Sequence, residues 1–482
     1  MSRVEELARG VIVGGIAGIM ADSDLPRFGG YLLFPGESAT AAEVRALTDA
    51  LRARGGDPPP LIAIDQEGGA VMRLREGVEP MPAMMALGAA DDSELTQRAG
   101  EQLAFDLRRA GCTLDFAPVL DLALDPRNTV IGTRAFGADP ELVARHGEHF
   151  ARAMQRGGII PCYKHFPGHG STAVDSHHAL PVVEADAPTL RARDLVPFER
   201  LVPGAPAVMS AHELVPAFDA EHPATLSPHI ARDLLRGEFG FHGVFVTDCL
   251  EMGAMTSRSD VAVDALAAGA DLLLYSHDLE LATAAAASIG RAVESGRLAR
   301  ERLEEAHARV LRLRRSAGEP IALETSPPHP NVGREAGRRG VALVRGVAHV
   351  DPSAALAIAF GGSSEMLRRE APSLARVDAS LEPDAEEIAT LGARLAQSRR
   401  RPLLLARRAH LYDSQAQAIA EILNRYPDAC VVSLLEPFDL SLFARARHLL
   451  ATHGDSIASI RGLADVLFGG SLPSATLPVR VA

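Results

Sequence analysis

Gly158-Ile159-Ile160-Pro161-Cys162-Tyr163-Lys164-His165-Phe166-Pro167-Gly168-His169-Gly170 joins an apolar run directly to a polar, glycine-rich loop. The run from Gly158 to Tyr163 predicts a short buried strand. Pro167 and the two glycines after it stop any regular element from continuing. Asp175-Ser176-His177-His178 follows, so seven side chains that move protons or hold charge fall within the fifteen residues from Lys164 to His178. A strand that delivers Lys164 and His165 at its carboxyl end and then opens into such a loop is how a parallel α/β fold presents a site.

Outward from this stretch, apolar β-rich runs alternate with helical ones. Candidate strands are Val11–Ile16, Tyr31–Phe34, Leu61–Ile64, Thr113–Ala117, Ile159–Tyr163, Pro206–Ser210, Val244–Thr247 and Asp271–Tyr275. Amphipathic helices are expected between them, among them Glu94–Ala110 and Pro140–Arg156. Eight such alternations predict a (β/α)8 TIM-type barrel rather than an open sheet. Helix Arg300–Arg315, with Leu303, Ala306, Val310 and Leu313 on one face, closes it, so residues 1–315 are read as the catalytic barrel. Residues 316–330, with four prolines, read as a linker. Residues 331–482 then predict a smaller α/β/α sandwich with a mostly parallel sheet. Its strands are Val341–Val344, Leu356–Phe360, Leu403–Leu405 and Val431–Leu435, and its helices include Glu386–Gln397 and Ser414–Asn424. Gly361-Gly362 is too little for a phosphate-binding loop, and no repeat relates the two domains.

Composition narrows the function. With 482 residues, two domains are the natural expectation, and 47% hydrophobic against 23% charged residues describes a soluble globular protein. A formal charge of −13 argues against a nucleic-acid partner. The four cysteines are scattered without a CxxC pair and read as small core residues. Glu5 and Glu6 precede an eleven-residue apolar run, which lacks a signal peptide's basic start and is too short for a membrane span. The expectation is a cytoplasmic protein with reduced thiols and no membrane association. The oligomeric state is not legible.

A barrel's functional residues sit just after its strands. Asp65-Gln66-Glu67-Gly68-Gly69 follows the third candidate strand, Asp121 and Arg134 the fourth, and the Lys164–His178 stretch the fifth. His212 follows the sixth, Asp248 ends the seventh, and Ser276-His277 follows the eighth. Any one of these in a loop is ordinarily solvated surface; their collection on one rim points to a site. Asp175, two residues before His177, can fix the imidazole's tautomer and stabilise its charged form, as a general acid/base requires. Asp248 caps the β-branched run Val244–Thr247, and a carboxylate at a strand tip is rigidly aimed, as a nucleophile must be. The alternative for Asp248 is a helix N-cap before Leu250. One carboxylate nucleophile and one acid/base suit retaining glycoside hydrolysis, here with a His–Asp pair in place of the usual second carboxyl group. Asp65, Arg73, Arg134, Lys164 and His165 would then bind sugar hydroxyls or an acyl substituent.

These residues resemble a known family. Lys164–His178 (KHFPGHGSTAVDSHH) is similar to the signature of bacterial β-N-acetylglucosaminidases of glycoside hydrolase family 3. The resemblance extends to Asp65–Gly69 (DQEGG), Asp115–Asp121 (DFAPVLD), Val130–Gly137 (VIGTRAFG) and Val208–His212 (VMSAH). It continues through Pro216–Asp219 (PAFD), Pro223–Ser227 (PATLS) and Gly243–Met252 (GVFVTDCLEM), in order along nearly the whole barrel. Leu435–Leu440 (LEPFDL), Ala464–Gly470 (ADVLFGG) and Leu477-Pro478-Val479 resemble the family's C-terminal sandwich domain. Position by position, the resemblance implies Asp248 as nucleophile and His177 as acid/base with Asp175 its partner. It implies Asp65, Arg73, Arg134, Lys164 and His165 as ligands of the N-acetylglucosamine unit. The loop bearing His177 would close over the substrate. Family members remove terminal β-linked N-acetylglucosamine from peptidoglycan fragments during cell-wall recycling. Ala70 and Cys249 depart from the common pattern, and neither is a proposed catalytic group.

Other functions fit less well. His165, His169, His177, His178 and Asp175 could suggest a metal hydrolase, but their Gly-Pro-Gly spacing and Lys164 suit no metal site, and none is expected. Nor is a cofactor. Glucosidases and xylosidases of the same family lack the His–Asp loop. Phosphorolysis stays open, since a neutral histidine does not repel phosphate as a carboxylate does. A catalytically inert sugar-binding protein would have no need to keep Asp248, His177 and Asp175 together. With 4% aromatic residues and no Trp, stacking platforms for long glycans are few, so the expected substrates are short soluble saccharides or muropeptides attacked from one end.

Overall fold

The computed structural model describes residues 2–19, 25–172, 180–255 and 260–481. Eight strands form a closed, wholly parallel barrel. They are β1 (Ile12–Ala17), β2 (Gly30–Phe34), β3 (Leu61–Ile64), β4 (Leu114–Asp115), β5 (Ile160–Phe166), β6 (Ala207–Ser210), β7 (Val244–Cys249) and β8 (Leu272–Tyr275). Each strand pairs with its sequence neighbours and β8 closes on β1, with Ile12 opposite Leu273. Apart from the charged residues near their carboxyl ends, the strands are apolar on both faces because helices cover the outside and side chains fill the inside. Helix Ser93–Arg109 starts at Asp92, whose carboxylate accepts from the Glu94 and Leu95 N–H groups; helix Pro140–Arg156 starts at Asp139 with proline in its first turn.

All eight expected strands exist, with two informative differences. β4 is shorter than Thr113–Ala117, because Pro118 has no N–H to extend the ladder. β5 runs to Phe166, past the expected end at Tyr163. Its register against β6 shifts between Tyr163 and Phe166, and such an irregularity re-aims the side chains it spans. Lys164 and His165 are therefore held on the strand rather than in the loop beyond it.

The second domain is built on a six-stranded sheet of β9 (Ala342–Arg345), β10 (Ala355–Phe360), β11 (Ala375–Ala379), β12 (Arg401–Ala406), β13 (Cys430–Ser433) and β14 (His448–Ala451). The spatial order is β9-β14-β13-β12-β10-β11, antiparallel only between β9 and β14. Period-two alternation divides its core. Ala355, Ala357 and Ala359 pack with Ile460, Leu463 and Leu467 on one face, while Leu356, Ile358 and Phe360 pack with Leu391, Leu395 and Ile419 on the other. Two strands escaped the sequence reading. β11, Ala-Arg-Val-Asp-Ala, is a half-exposed edge strand with charged residues, and β14 is four residues long.

The two domains are tightly joined. Helix Val332–Arg339 enters between them, and a Cβ on Gly333 or Gly337 would stand 1.8 Å from Pro80 O or 2.2 Å from Ala458 O. Arg98 grips Glu335 with two hydrogen bonds of 2.8 Å, and Arg339 reaches Asp92 at 2.6 Å. The C-terminal tail returns to the barrel, where Pro478 O accepts from Ala138 N and Val479 joins the barrel core. No helix among the described residues is long and apolar enough to cross a membrane.

Candidate active site

The carboxyl ends of the barrel strands open on a cavity of about 650 Å³. Asp65, Arg73, Arg134, Lys164, His165 and Asp248 all line it, with one residue of the second domain, Arg408. Asp175 and His177 lie outside the described residues.

Lys164 is the centre of an ion network. Its Nζ lies 3.0 Å from Asp65 Oδ1 and 2.6 Å from Glu67 Oε1, and its side chain is 2% exposed. Glu67 also takes a fork from Arg134, Nε to Oε2 at 2.8 Å and Nη2 to Oε1 at 2.7 Å. Burial disfavours the Glu67 carboxylate, but Arg134 and Lys164 outweigh it and bring the group to about 2. Burial likewise opposes the charge on Lys164, and Glu67 and Asp65 hold its pKa above the ordinary lysine range. Glu67, Lys164 and Arg134 stay ionised at neutral pH, so the donors of the cluster are fixed before any ligand arrives.

His165 is tuned the other way. Its Nδ1 donates to Asp121 Oδ2 at 2.6 Å, and the same carboxylate accepts from the backbone N–H groups of His165 and His169. Burial keeps the imidazole pKa low despite Asp121, leaving a neutral ring whose Nε2 faces Arg134 Nη2 at 3.5 Å. His169 pairs with Glu213 at 3.1 Å, and burial lifts the Glu213 carboxyl to about 7. Arg73 reaches the cavity across Phe34, its guanidinium carbon 5.4 Å from the ring centre, and its backbone N–H donates to Gln66 Oε1.

Asp248 ends β7. Burial pushes its carboxyl up, but the His212 and His165 imidazoles, the Cys249 N–H at 2.7 Å and the Lys164 ammonium bring it below the usual carboxylate range. His212 is held by Thr225 Oγ1 at 2.7 Å and by Cys249 O at 2.9 Å, which fixes its Nε2 as the donor. An ionised carboxylate near the end of a strand, in a cavity lined by fixed donors, is equipped to attack a carbon losing its oxygen substituent. Among the described residues no three His, Cys, Asp or Glu side chains are placed to hold a metal ion.

Residues 21–313 match the glycosyl hydrolase family 3 N terminal domain. The chain belongs to this family. As a family 3 glycoside hydrolase it is 40% identical over 302 residues to a beta-hexosaminidase of Chromobacterium violaceum, covering 59% of this chain and 83% of that protein. A beta-hexosaminidase of Pseudomonas aeruginosa is also 40% identical, over 270 residues, covering 55% and 80%. Among solved structures, a family 3 beta-N-acetylglucosaminidase from Paenibacillus sp. str. FPU-7 superposes with a TM-score of 0.91 at 33% identity, covering 100% of this chain and 99% of that one. A beta-glucoside phosphorylase shares the two-domain fold, with a TM-score of 0.84 at 21% identity.

Several residues of this family 3 site escaped the sequence reading. Glu67 lies within Asp65–Gly69, where nothing local marks it as the shared partner of Lys164 and Arg134. The rim position of Asp121 is legible in the sequence, but its pairing with His165 is not. Glu213 adjoins His212 with no signal of its own, and Arg408 had none at all, since nothing local ties the second domain to the barrel mouth.

Proposed function

We propose that this glycoside hydrolase is a retaining exo-β-N-acetylglucosaminidase, acting on short saccharides such as peptidoglycan fragments in cell-wall recycling. The observation that carries the reading is Asp248, an ionised carboxylate in the same cavity as the Asp65–Lys164–Glu67–Arg134 network. Asp65, Lys164, His165, Arg134 and Arg73 hold the terminal sugar and its acetamido group. Asp248 attacks C1; the glycosidic C–O bond breaks, and the leaving oxygen takes a proton from His177. Water then attacks C1 of the glycosyl-enzyme, releasing Asp248 and returning a proton to His177, with Asp175 orienting the imidazole in both steps. The similarity to beta-hexosaminidases and to a beta-N-acetylglucosaminidase supports the choice of sugar.

The test is turnover of para-nitrophenyl β-N-acetylglucosaminide by wild type, Asp248→Ala and His177→Ala, with phosphate varied. Release by wild type, loss in Asp248→Ala and strong reduction in His177→Ala are expected. A sugar 1-phosphate product would instead make it a phosphorylase, and an inactive folded wild type would overturn the specificity.

A further inference from the structure

Among the described residues, Arg408 is the one from the second domain that lines the cavity. It lies beyond residue 313, where the family match ends. Its backbone is left-handed, φ 54°, a conformation that a long side chain keeps only where its surroundings enforce it. The enforcing group is Glu436, 3% exposed, which takes Arg408 Nε at 2.9 Å and Nη2 at 2.8 Å. Arg408 Nη1 donates to none of the described residues.

The same pair braces the barrel. Glu436 Oε1 accepts from Thr133 N at 3.3 Å, inside the turn Gly132–Arg134 that carries Arg134. Gly132 has φ 42°, and a Cβ there would stand 1.9 Å from that carboxylate oxygen, so this turn and Glu436 are in direct contact. Nearby, His410 is fixed by Asp439 at 2.6 Å and meets Pro126 O at 2.9 Å, while Arg408 Nη2 faces Thr129 O at 3.5 Å. Two buried carboxylates thus aim two second-domain cations at one barrel loop.

The side of the cavity follows from which elements line it. Lys164 and Asp248 are carried by the strands β5 and β7, whereas Arg408 enters from the second domain against the loop that holds Thr129. With the terminal sugar on the strand-borne residues and its C1 at Asp248, the second saccharide unit extends toward residues outside the barrel strands, and Arg408 is one of them. We propose that Arg408 is a specificity-determining residue of the aglycone subsite, its Nη1 donating to an acceptor oxygen on the second saccharide unit, with Glu436 as its positioning residue. The inference rests on the glycosidase reading above.

Because Glu436 already shares the guanidinium's charge, the acceptor can be a neutral hydroxyl or a carboxylate, and two substrates separate these. The experiment compares kcat/KM on three β-N-acetylglucosaminides: the phenyl glycoside, a neutral disaccharide, and a disaccharide whose reducing sugar bears a carboxylate. Removing Arg408 alone would strand a buried carboxylate and threaten the fold. The variant is therefore R408M/E436Q, which removes both charges and keeps an acceptor for Thr133 N, with Arg408→Lys beside it. The expected result is a fall of about tenfold or more in the ratio of disaccharide to phenyl-glycoside kcat/KM, as loss of a charge-assisted hydrogen bond gives. Arg408→Lys should recover part of it. A larger fall for the carboxylate-bearing disaccharide would identify an anionic aglycone; equal falls would identify a hydroxyl. A loss of equal size on all three substrates, or none, would overturn the proposal by assigning Arg408 to structure alone. Wild type inactive on the phenyl glycoside would overturn the glycosidase reading itself, and this inference with it.

Discussion

At Asp248, burial and charge act on one carboxyl in opposite senses. Burial favours the acid, and the surrounding imidazoles, N–H and ammonium favour the anion and prevail. Asp248→Ala should lower kcat on an aryl glycoside by about a thousandfold or more, roughly 4 kcal/mol of barrier, without lowering the melting temperature. Glu67 differs, since two buried cations depend on it. Glu67→Gln leaves Lys164 and Arg134 without their shared anion, and breaking such a network costs about 3–5 kcal/mol, readable as a shifted denaturant midpoint. Its pH dependence has a definite sign. With a folded value near 2 against an ordinary 4.5, Glu67 contributes stability that is present above pH 4.5 and lost as pH falls toward 2. Glu213 runs oppositely. Its folded carboxyl keeps its proton up to about 7, so folding stability should decline as pH rises from 4.5 to 7, and Glu213→Gln should flatten that decline in melts across pH.

Among the elements, the strand β5 and the turn Gly132–Arg134 do most to aim the site. β5 places Lys164 and His165 before its end, and the loop after it packs so closely that a Cβ on Gly170 would stand 1.8 Å from Leu122 O. Gly170→Ala should therefore cost about 1–3 kcal/mol and raise KM as the neighbouring backbone shifts, measured by melting and kinetics together. Helix Ala41–Ala53 offers a control away from the site. Thr40 and Glu43 form a reciprocal capping box there, and Thr40→Ala should cost about 1 kcal/mol while leaving kcat/KM unaltered. Much of this scale was legible in the sequence. β3 and the helices Pro140–Arg156 and Arg300–Arg315 fall at their expected bounds, because hydrophobic period and caps are local signals. β11 was not legible, since a charged edge strand shows no buried face to read.

Across the whole molecule, the barrel is clamped at both ends. At the amino end of β8, buried Asp271 meets Arg302 at 2.6 Å, Arg309 at 3.1 Å and Arg236 at 2.5 Å, tying the last barrel helix to the sheet. At the carboxyl end, Glu436 and Arg408 extend the second domain into the cavity's rim. A chain ended at residue 330 should consequently melt lower and bind sugar more weakly than the full chain, because it loses the Glu335 and Glu436 contacts and bares the apolar seat of Val479. Calorimetry and inhibitor titration on the two lengths would check both.

By itself, the sequence determined the barrel, its strand count, the second α/β domain and the rim positions of Asp65, Arg134, Lys164, His165 and Asp248. Each rests on periodicity or on position relative to a strand end, which neighbouring residues encode. Only the tertiary structure decided who partners whom. Glu67 lies between Lys164 and Arg134, Asp121 beneath His165, and Glu436 against Gly132. Those pairs join segments far apart in the chain, and closing the barrel against the second domain brings them within hydrogen-bond reach. No local pattern records that closure, because it is the sum of all the strand pairings at once.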